Sequence, residues 1–423
     1  GTGIASGAVT IQTGGNLAPG ASVGTLTVGG LTLDAGSKLT YEFAGSNDTT
    51  VVSASNGLTI NGGAFTLLQE NSITPFSAAG TYNLIQYTGA IGGSGIGSLT
   101  VSNPQPGFSY AFGTSGGFVT LTITVSGVIS DWNLNGSGDW STAGNWTNAM
   151  PNTQGAAARF NIALSSDATV ALNGSKTVGG MVFTSAINDY TIDAGTGGSL
   201  IFDDTTGTAS LDIFSGTHTI AANVTLTDTL DTLTTNATDS LTLSGVVSGA
   251  GGITKTGAGN LILSGANTFG GNVSLSGGQT TFTSGSLGAG TNLALNNAGL
   301  IYATGNTNDI TAKTVTLGAG TATINTNGNN VTFANAINGD GALTKTGDGT
   351  LTLAGVNGFL GNLTITQGAV KLGNGAATGE VVAEIINNSV LQLDLLDSTP
   401  ADVTVFNTIT GTGSLQHLGT GTT

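Results

Sequence analysis

The 423-residue sequence predicts an all-β fold of the solenoid type, in which successive coils stack by strand pairing. Segment 251–278 returns 90 residues later as 341–368, with 14 of 28 positions identical. Glycines recur at the turns of both copies, and aliphatic residues alternate between them, as expected of strands with one buried face. The composition of 71 glycines and 6 prolines, with 7% charged residues, suits strands, and no amphipathic helix is found.

The same alternation between glycine-rich turns runs along the rest of the chain. Strands are predicted in order at 24–33, 39–43, 58–68, 82–87, 118–125, 176–183, 199–202, 218–226 and 241–247, and then in the two repeat copies. At about 20 to 25 residues per coil, the 90-residue offset corresponds to about four coils.

Charge and composition exclude several classes of protein. The 23 acidic and 7 basic residues give a formal charge of −16, which repels phosphate backbones and argues against nucleic acid as a partner. The absence of cysteine excludes disulfides, thiol catalysis and thiolate metal sites. No apolar run is long enough for a membrane span, so any signal or anchor is expected outside this sequence. A third, partial copy at 413–423 breaks off within the motif, so we expect a longer polypeptide.

All three tryptophans lie in the insert 131–160, together with the only arginine, Arg159. Two interpretations are open for these tryptophans, as packing residues or as ligand-binding residues: Trp132, Trp140 and Trp146. The first is a structural cap in which the indoles cover the end of a coil. The second is a carbohydrate-stacking patch, which requires indole faces turned to solvent.

A pattern typical of calcium loops, D-x-N-x-N-G, begins the same insert with Asp131, Asn133 and Asn135, and Asp139 stands at a ninth-position ligand site. The twelfth position is Thr142, which excludes an EF-hand. A simpler extracellular calcium site remains as an alternative to ordinary turn formation. No other cofactor is predicted.

Equivalent positions of the two repeat copies predict a shared core. The pairs expected to be buried are Leu261 and Leu351, Leu263 and Leu353, and Phe269 and Phe359. The paired asparagines Asn267 and Asn357 are expected either to adopt left-handed turn conformations or to stack their amides between coils.

Lys255 and Lys345 also occupy equivalent positions, and we expect them at solvated corners where they either bond turn carbonyls or neutralise an acidic neighbour. On that interpretation Lys255→Ala should cost less than about 1 kcal/mol. The core substitution Leu263→Ala should cost about 2–5 kcal/mol.

Candidates for catalysis are scarce, so no enzyme is predicted. His218 and His417 fall in repeat-like sequence and are expected to be turn or surface residues. Asp203 and Asp204 are neighbours, and consecutive strand residues point to opposite faces, so they would not face one substrate unless they sit in a turn.

The phrase GxLTKTGxGxLxLxGxNxFxG, with Ile253 for the first Leu in one copy, is read at 251–271 and 341–361. It resembles the passenger-associated β-strand repeat of bacterial autotransporters and related giant surface proteins. Segment 16–33 is similar to the segment that closes such repeat regions, and the tryptophan insert to the one that opens them. The resemblance implies a right-handed parallel β-helix exported to the bacterial surface or medium. Passengers of this kind act as adhesins, structural fibres or scaffolds.

The order of these segments suggests a junction between two tandem modules. A closing segment, 1–127, precedes a tryptophan-rich junction or cap, 128–160, and the repeat segment 161–423 of the next module follows. We therefore expect a non-enzymatic extracellular or cell-surface stalk, adhesin or fibre subunit. Its expected partners are further copies of itself, end to end or laterally, surface glycans, or a host surface. The alternative is a carbohydrate-binding or carbohydrate-active β-helix that uses the tryptophan insert.

Overall fold

The computed structural model describes residues 2–20, 22–375, 379–394 and 408–418, so the end of the partial third copy, 419–423, lies outside the described residues. The chain divides into two compact units, 1–127 and 128–423. The described regular structure is strand except for three short 3-10 turns at Ile96–Ser98, Ala143–Asn145 and Ile310–Ala312. No helix in those described ranges has the length and apolar character needed to cross a membrane.

The first unit contains two sheets. The eight-stranded sheet comprises Thr2–Ile11, Thr25–Leu33, Thr49–Val52, Leu58–Ile60, Gly80–Gln86, Gly92–Gly93, Phe108–Ser115 and Phe118–Val125. The four-stranded sheet comprises Asn16–Leu17, Lys38–Phe43, Gly63–Gln69 and Leu99–Val101. One hydrophobic core lies between them and includes Val28, Tyr41, Phe65 and Leu121.

The first unit departs from the expected parallel pairing at its last two strands. Phe118–Val125 pairs antiparallel with both Phe108–Ser115 and Gly80–Gln86. The two-residue loop Gly116–Gly117 has φ of 58° and 78°, which is the geometry that joins antiparallel strands tightly and that glycine adopts without strain. Every other ladder between the described strands is parallel.

The second unit is a parallel β-solenoid in which each coil contributes strands to successive faces. The 11-stranded face comprises Ile129–Asp131, Ala157–Phe160, Gly180–Phe183, Thr208–Ile213, Thr229–Thr234, Ile253–Thr256, Val273–Ser276, Asn292–Asn296, Thr314–Leu317, Ile337–Gly339 and Gly358–Phe359. The 13-stranded face comprises Gly138–Asp139, Ala168–Ala171, Tyr190–Asp193, Thr217–Ile220, Ser240–Leu243, Asn260–Leu263, Gln279–Phe282, Gly299–Tyr302, Thr321–Asn325, Ala342–Thr346, Leu363–Ile365, Ile385–Asn387 and Ile409–Thr410.

The third face is shared by two shorter sheets. The four-stranded sheet comprises Lys176–Val178, Ser199–Phe202, Asn223–Leu226 and Val247–Gly249. The five-stranded sheet comprises Val331–Phe333, Thr350–Leu353, Ala369–Leu372, Val390–Leu393 and Ser414–His417.

Register between coils stacks one inward residue on the next. On the 13-stranded face Leu243, Leu263, Phe282 and Tyr302 are successive partners, and all are buried. The leucine and phenylalanine positions predicted to be buried are fully buried: Leu261, Leu263, Phe269, Leu351, Leu353 and Phe359. The core is therefore a continuous column along the coils. Burial of each such side chain stabilises the fold by about 1.5–3 kcal/mol relative to leaving it exposed.

The two repeat copies occupy different faces of the solenoid. In the first copy Ile253–Thr256 lies in the 11-stranded sheet, whereas in the second Ala342–Thr346 lies in the 13-stranded sheet. Four coils separate Ile253–Thr256 from Ile337–Gly339 on the same face, and the second copy begins one face later. The 90-residue offset between the copies therefore corresponds to four turns plus one face, not to four whole coils. The reason is that these coils are on average shorter than a quarter of the 90-residue period.

Candidate functional site

The three indoles of the insert form a closed cluster at the first coils of the second unit. Trp132 and Trp140 are fully buried and Trp146 is 4% exposed. The Trp146 ring meets Trp132 at 5.2 Å and Trp140 at 4.7 Å between centroids, both edge to face. Such contacts add about 0.5–1.5 kcal/mol each beyond the buried area.

Each indole N–H in this cluster donates to a backbone carbonyl. Trp140 donates to Pro151 O at 2.9 Å, Trp146 to Trp140 O at 2.8 Å, and Trp132 to Gly136 O at 3.3 Å. A sugar-stacking patch requires indole faces turned to solvent. These rings are buried and their N–H groups are satisfied, so they offer no such face. The geometry favours a structural cap in this insert.

The aromatic packing continues from the insert into the next coils and ends at a histidine. Phe160 stacks on Phe183 at 4.7 Å, and Phe183 stacks on His218 at 4.8 Å. His218 is 1% exposed, so its expected position as a turn or surface residue is wrong. The alternation of the strand Thr217–Ile220 places it on the inward face, beside rings of the preceding coils. His417 is exposed.

Hydrogen bonds fix His218 in its neutral form. Nδ1 accepts the Tyr190 N–H at 3.0 Å, so Nε2 carries the proton and faces Ser215 O at 3.0 Å. Burial lowers the pKa of His218 below its usual 6.5, and the Ser215 carbonyl and the charges of Asp189 and Asp239 oppose this shift only in part.

We expect acid to destabilise the second unit through His218. Below pH 6.5 the unfolded chain binds a proton at this imidazole while the folded chain resists it, so stability present at neutral pH is lost as the pH falls toward the lowered folded pKa. Urea unfolding at pH 7.5 and pH 5 should show a larger loss for the wild type than for His218→Asn, whose amide oxygen can still accept the Tyr190 N–H. Equal losses in the two proteins would contradict this expectation.

Three of the four calcium candidates have side-chain oxygens bound to other protein groups. The Asp131 carboxylate pairs with Arg159, with Nε to Oδ1 at 2.6 Å and Nη2 to Oδ2 at 3.1 Å. Asn135 Oδ1 accepts the Ser165 N–H at 2.9 Å, and Asp139 Oδ1 accepts the Ser141 N–H at 2.7 Å. The Asn133 backbone N–H donates to Asn145 O. Within the described ranges no three acidic or histidine side chains are grouped to hold a metal.

The repeat lysines are buried, so their expected position at solvated corners is wrong. Lys255 and Lys345 are both fully buried. Lys255 Nζ donates to Thr256 O at 3.4 Å, Gly257 O at 3.1 Å and Gly277 O at 3.1 Å. Lys345 Nζ repeats the arrangement with Thr346 O at 2.9 Å, Gly347 O at 2.7 Å and Gln367 O at 3.1 Å.

Each lysine therefore ties the corner of its own coil to the corner of the next, and we call this arrangement the lysine clamp. Gly257 and Gly347 have φ of 81° and 70°, a left-handed conformation that follows each lysine at the corner. Burial lowers the pKa of both lysines to about 8, and at Lys345 the charge of Asp348 opposes the shift in part. Lys176 and Lys313 also donate to corner carbonyls.

The repeat asparagines span three successive coils. Asn267 Oδ1 accepts the Val247 N–H of the preceding coil at 2.8 Å, and its Nδ2 donates to Ser286 O of the next at 2.7 Å. Asn357 likewise accepts from Ile337 N at 3.0 Å and donates to Glu380 O at 3.1 Å. Neither has a positive φ. Of the two expectations, the geometry supports amides placed between coils.

Acidic side chains occupy both turns and buried positions. Asp203 accepts from Gln154 Nε2, whereas Asp204 accepts from Thr206, so the two carboxylates serve different groups. No sequence pattern singles out Asp212, which is only 5% exposed. Burial, and to a smaller extent the charge of Asp231, raises the pKa of Asp212 to about 8.

Comparisons with known proteins agree with the repeat architecture. The model of the passenger-associated-transport-repeat family matches residues 253–287 and 343–372. A stretch of 76 residues is 40% identical to the adhesin BmaC autotransporter of Brucella suis biovar 1 (strain 1330). That match covers 18% of this chain and 2% of the relative's length. No solved structure matches the chain. The chain therefore carries two stretches that match the passenger-associated-transport-repeat model, and they begin on different faces of a parallel β-solenoid.

Proposed function

We propose that the chain is a stalk segment of an autotransporter-type adhesin passenger, displayed at the bacterial surface or released from it. The observation that carries the proposal is the long parallel ladder of the second unit, in which the lysine clamp ties one coil to the next in both family repeats. Such a ladder extends by nearest-neighbour contacts, as a stalk requires. The similarity to a protein described as an adhesin autotransporter supports the same function.

A non-enzymatic role fits the use that the second unit makes of its reactive side chains. Lys255 and Lys345 hold backbone carbonyls, and His218 serves the Tyr190 N–H. These groups are buried, where they stabilise coils and cannot reach a substrate in solvent. The formal charge of −16 keeps a long β-rich surface soluble outside the cell.

Surface display can be tested with antibodies raised against the 423-residue chain. We expect them to label intact cells of the bacterium that encodes it, and external protease to remove the label. A strain lacking the gene is the control for labelling and should adhere less to host cells or matrix. Labelling only after lysis, with unchanged adherence of the deletion strain, would overturn the proposal.

A further inference from the structure

A second aromatic cluster, in the first unit, borders an open hollow of about 580 Å³. The hollow is lined by Phe43, Ala44, Gln69, Glu70 and the segment 76–78. Its volume is within the range of small-molecule sites in proteins. We call it the Phe76 hollow.

Backbone pairing brings these residues together. Phe43 and Gln69 end adjacent parallel strands and are register partners, and the Glu70 N–H donates to Phe43 O at 3.0 Å. The chain then turns through Asn71, whose φ is 55°, and returns so that the Phe76 N–H donates to Leu67 O at 3.0 Å. The return places the Phe76 ring beside that of Phe43.

The Phe76 ring packs against two other aromatic rings and stays partly exposed. It stacks on Phe43 with centroids 4.6 Å apart and planes 13° apart, and Tyr82 meets it edge-on at 5.3 Å. Phe43 is 2% exposed, whereas Phe76 is half-buried and lines the hollow. A ring held in this way offers apolar surface to a ligand at little entropic cost.

Two hydrogen-bonding side chains stand beside that ring. Gln69 Nε2 donates to Pro75 O at 3.4 Å, which leaves its oxygen for an outside donor. The exposed Glu70 carboxylate makes no hydrogen bond or ion pair with any described residue. The hollow thus combines a supported aromatic ring with acceptors for hydroxyl or ammonium groups, and no lysine or arginine lines it.

We propose that the Phe76 hollow binds a neutral or amino-bearing hexose, with the C–H face of the sugar on Phe76 and its polar groups donating to Gln69 and Glu70. Acidic sugars are disfavoured because Glu70 and the chain charge of −16 repel them. The hollow has a partly exposed aromatic ring, whereas the three tryptophans are buried. This proposal rests on the surface display proposed above, to which it adds a ligand class.

The test uses the 423-residue chain with the methyl β-glycosides of glucose, N-acetylglucosamine, glucosamine and glucuronate, titrated by NMR. Because the hollow is open, we expect weak binding, with Kd on the order of 1 mM, for one or more of the first three and none for glucuronate. Phe76→Ala should weaken binding about threefold to tenfold. Glu70→Gln should weaken glucosamine more than glucose.

Controls keep loss of binding separate from loss of fold. Phe76→Tyr keeps the ring and should keep binding, and Ile73→Ala removes an 80% exposed side chain of the same turn that does not line the hollow. Binding by none of the glycosides, equal binding by all variants, or binding of glucuronate as tight as that of glucose would overturn the proposal. Antibody labelling of intact cells does not depend on this site, so either proposal can fail alone.

Discussion

Replacing Trp140 with alanine should destabilise the second unit by about 3–5 kcal/mol, the range for a fully buried large aromatic residue. The substitution removes a ring that contacts Trp146 at 4.7 Å and Phe160 at 6.0 Å. It also leaves Pro151 O without the indole N–H that it accepts. The loss should be largest in the first coils, because contacts in a solenoid are between neighbours.

Urea unfolding followed by circular dichroism measures the total effect, and amide hydrogen exchange locates it. Trp140→Phe is the matched control, since it keeps most of the ring and loses only the donor to Pro151 O, with an expected cost of about 1–3 kcal/mol. If Trp140→Ala lowered the free energy of unfolding by less than about 1 kcal/mol, the tryptophan cluster would not support the coils. Truncation of a ring that supports the core is expected to cost more than that.

Lys255→Ala should cost about 2–5 kcal/mol, comparable to Leu263→Ala, because a buried four-carbon stem and the donor to three carbonyls are removed together. Both side chains are fully buried. Lys345→Ala tests the second clamp, which has equivalent partners on another face.

Two variants separate the parts of this effect. Lys255→Met keeps the stem but not the donors and should cost about 1–3 kcal/mol, since removing the charge also removes its desolvation penalty. Lys38→Ala changes an exposed lysine and should cost less than about 0.5 kcal/mol. If Lys255→Ala matched Lys38→Ala in chemical unfolding, the clamp would have no role in stability.

Periodicity in the sequence was sufficient to predict the parallel solenoid and the buried column. Leu261, Leu263 and Phe269 follow from alternation and turn glycines, which are local signals. The same alternation places Lys255 two residues after the buried Ile253, on the inward side of its strand. The alternation therefore indicated a buried Lys255. The prediction of a solvated corner followed instead from the general preference of lysine for solvent.

Other features depend on contacts that no local pattern contains. The third bond of Lys255 goes to Gly277, which lies in the next coil, and His218 is enclosed by Phe183 and Tyr190 of earlier coils. The face on which each repeat copy lies depends on the summed lengths of the intervening coils. The Phe76 hollow requires the antiparallel return of the chain after Asn71, which brings Phe76 to Phe43.

The shift of one face between the repeat copies has a consequence for how such a chain can grow. Because the same clamp closes a corner on the 11-stranded face and a corner on the 13-stranded face, the corners are interchangeable building units. A gene duplication therefore need not add a whole number of turns to give a foldable product. Successive duplicates also point their loops in different directions around the axis, so an antibody or receptor specific for the repeat meets a copy on more than one side.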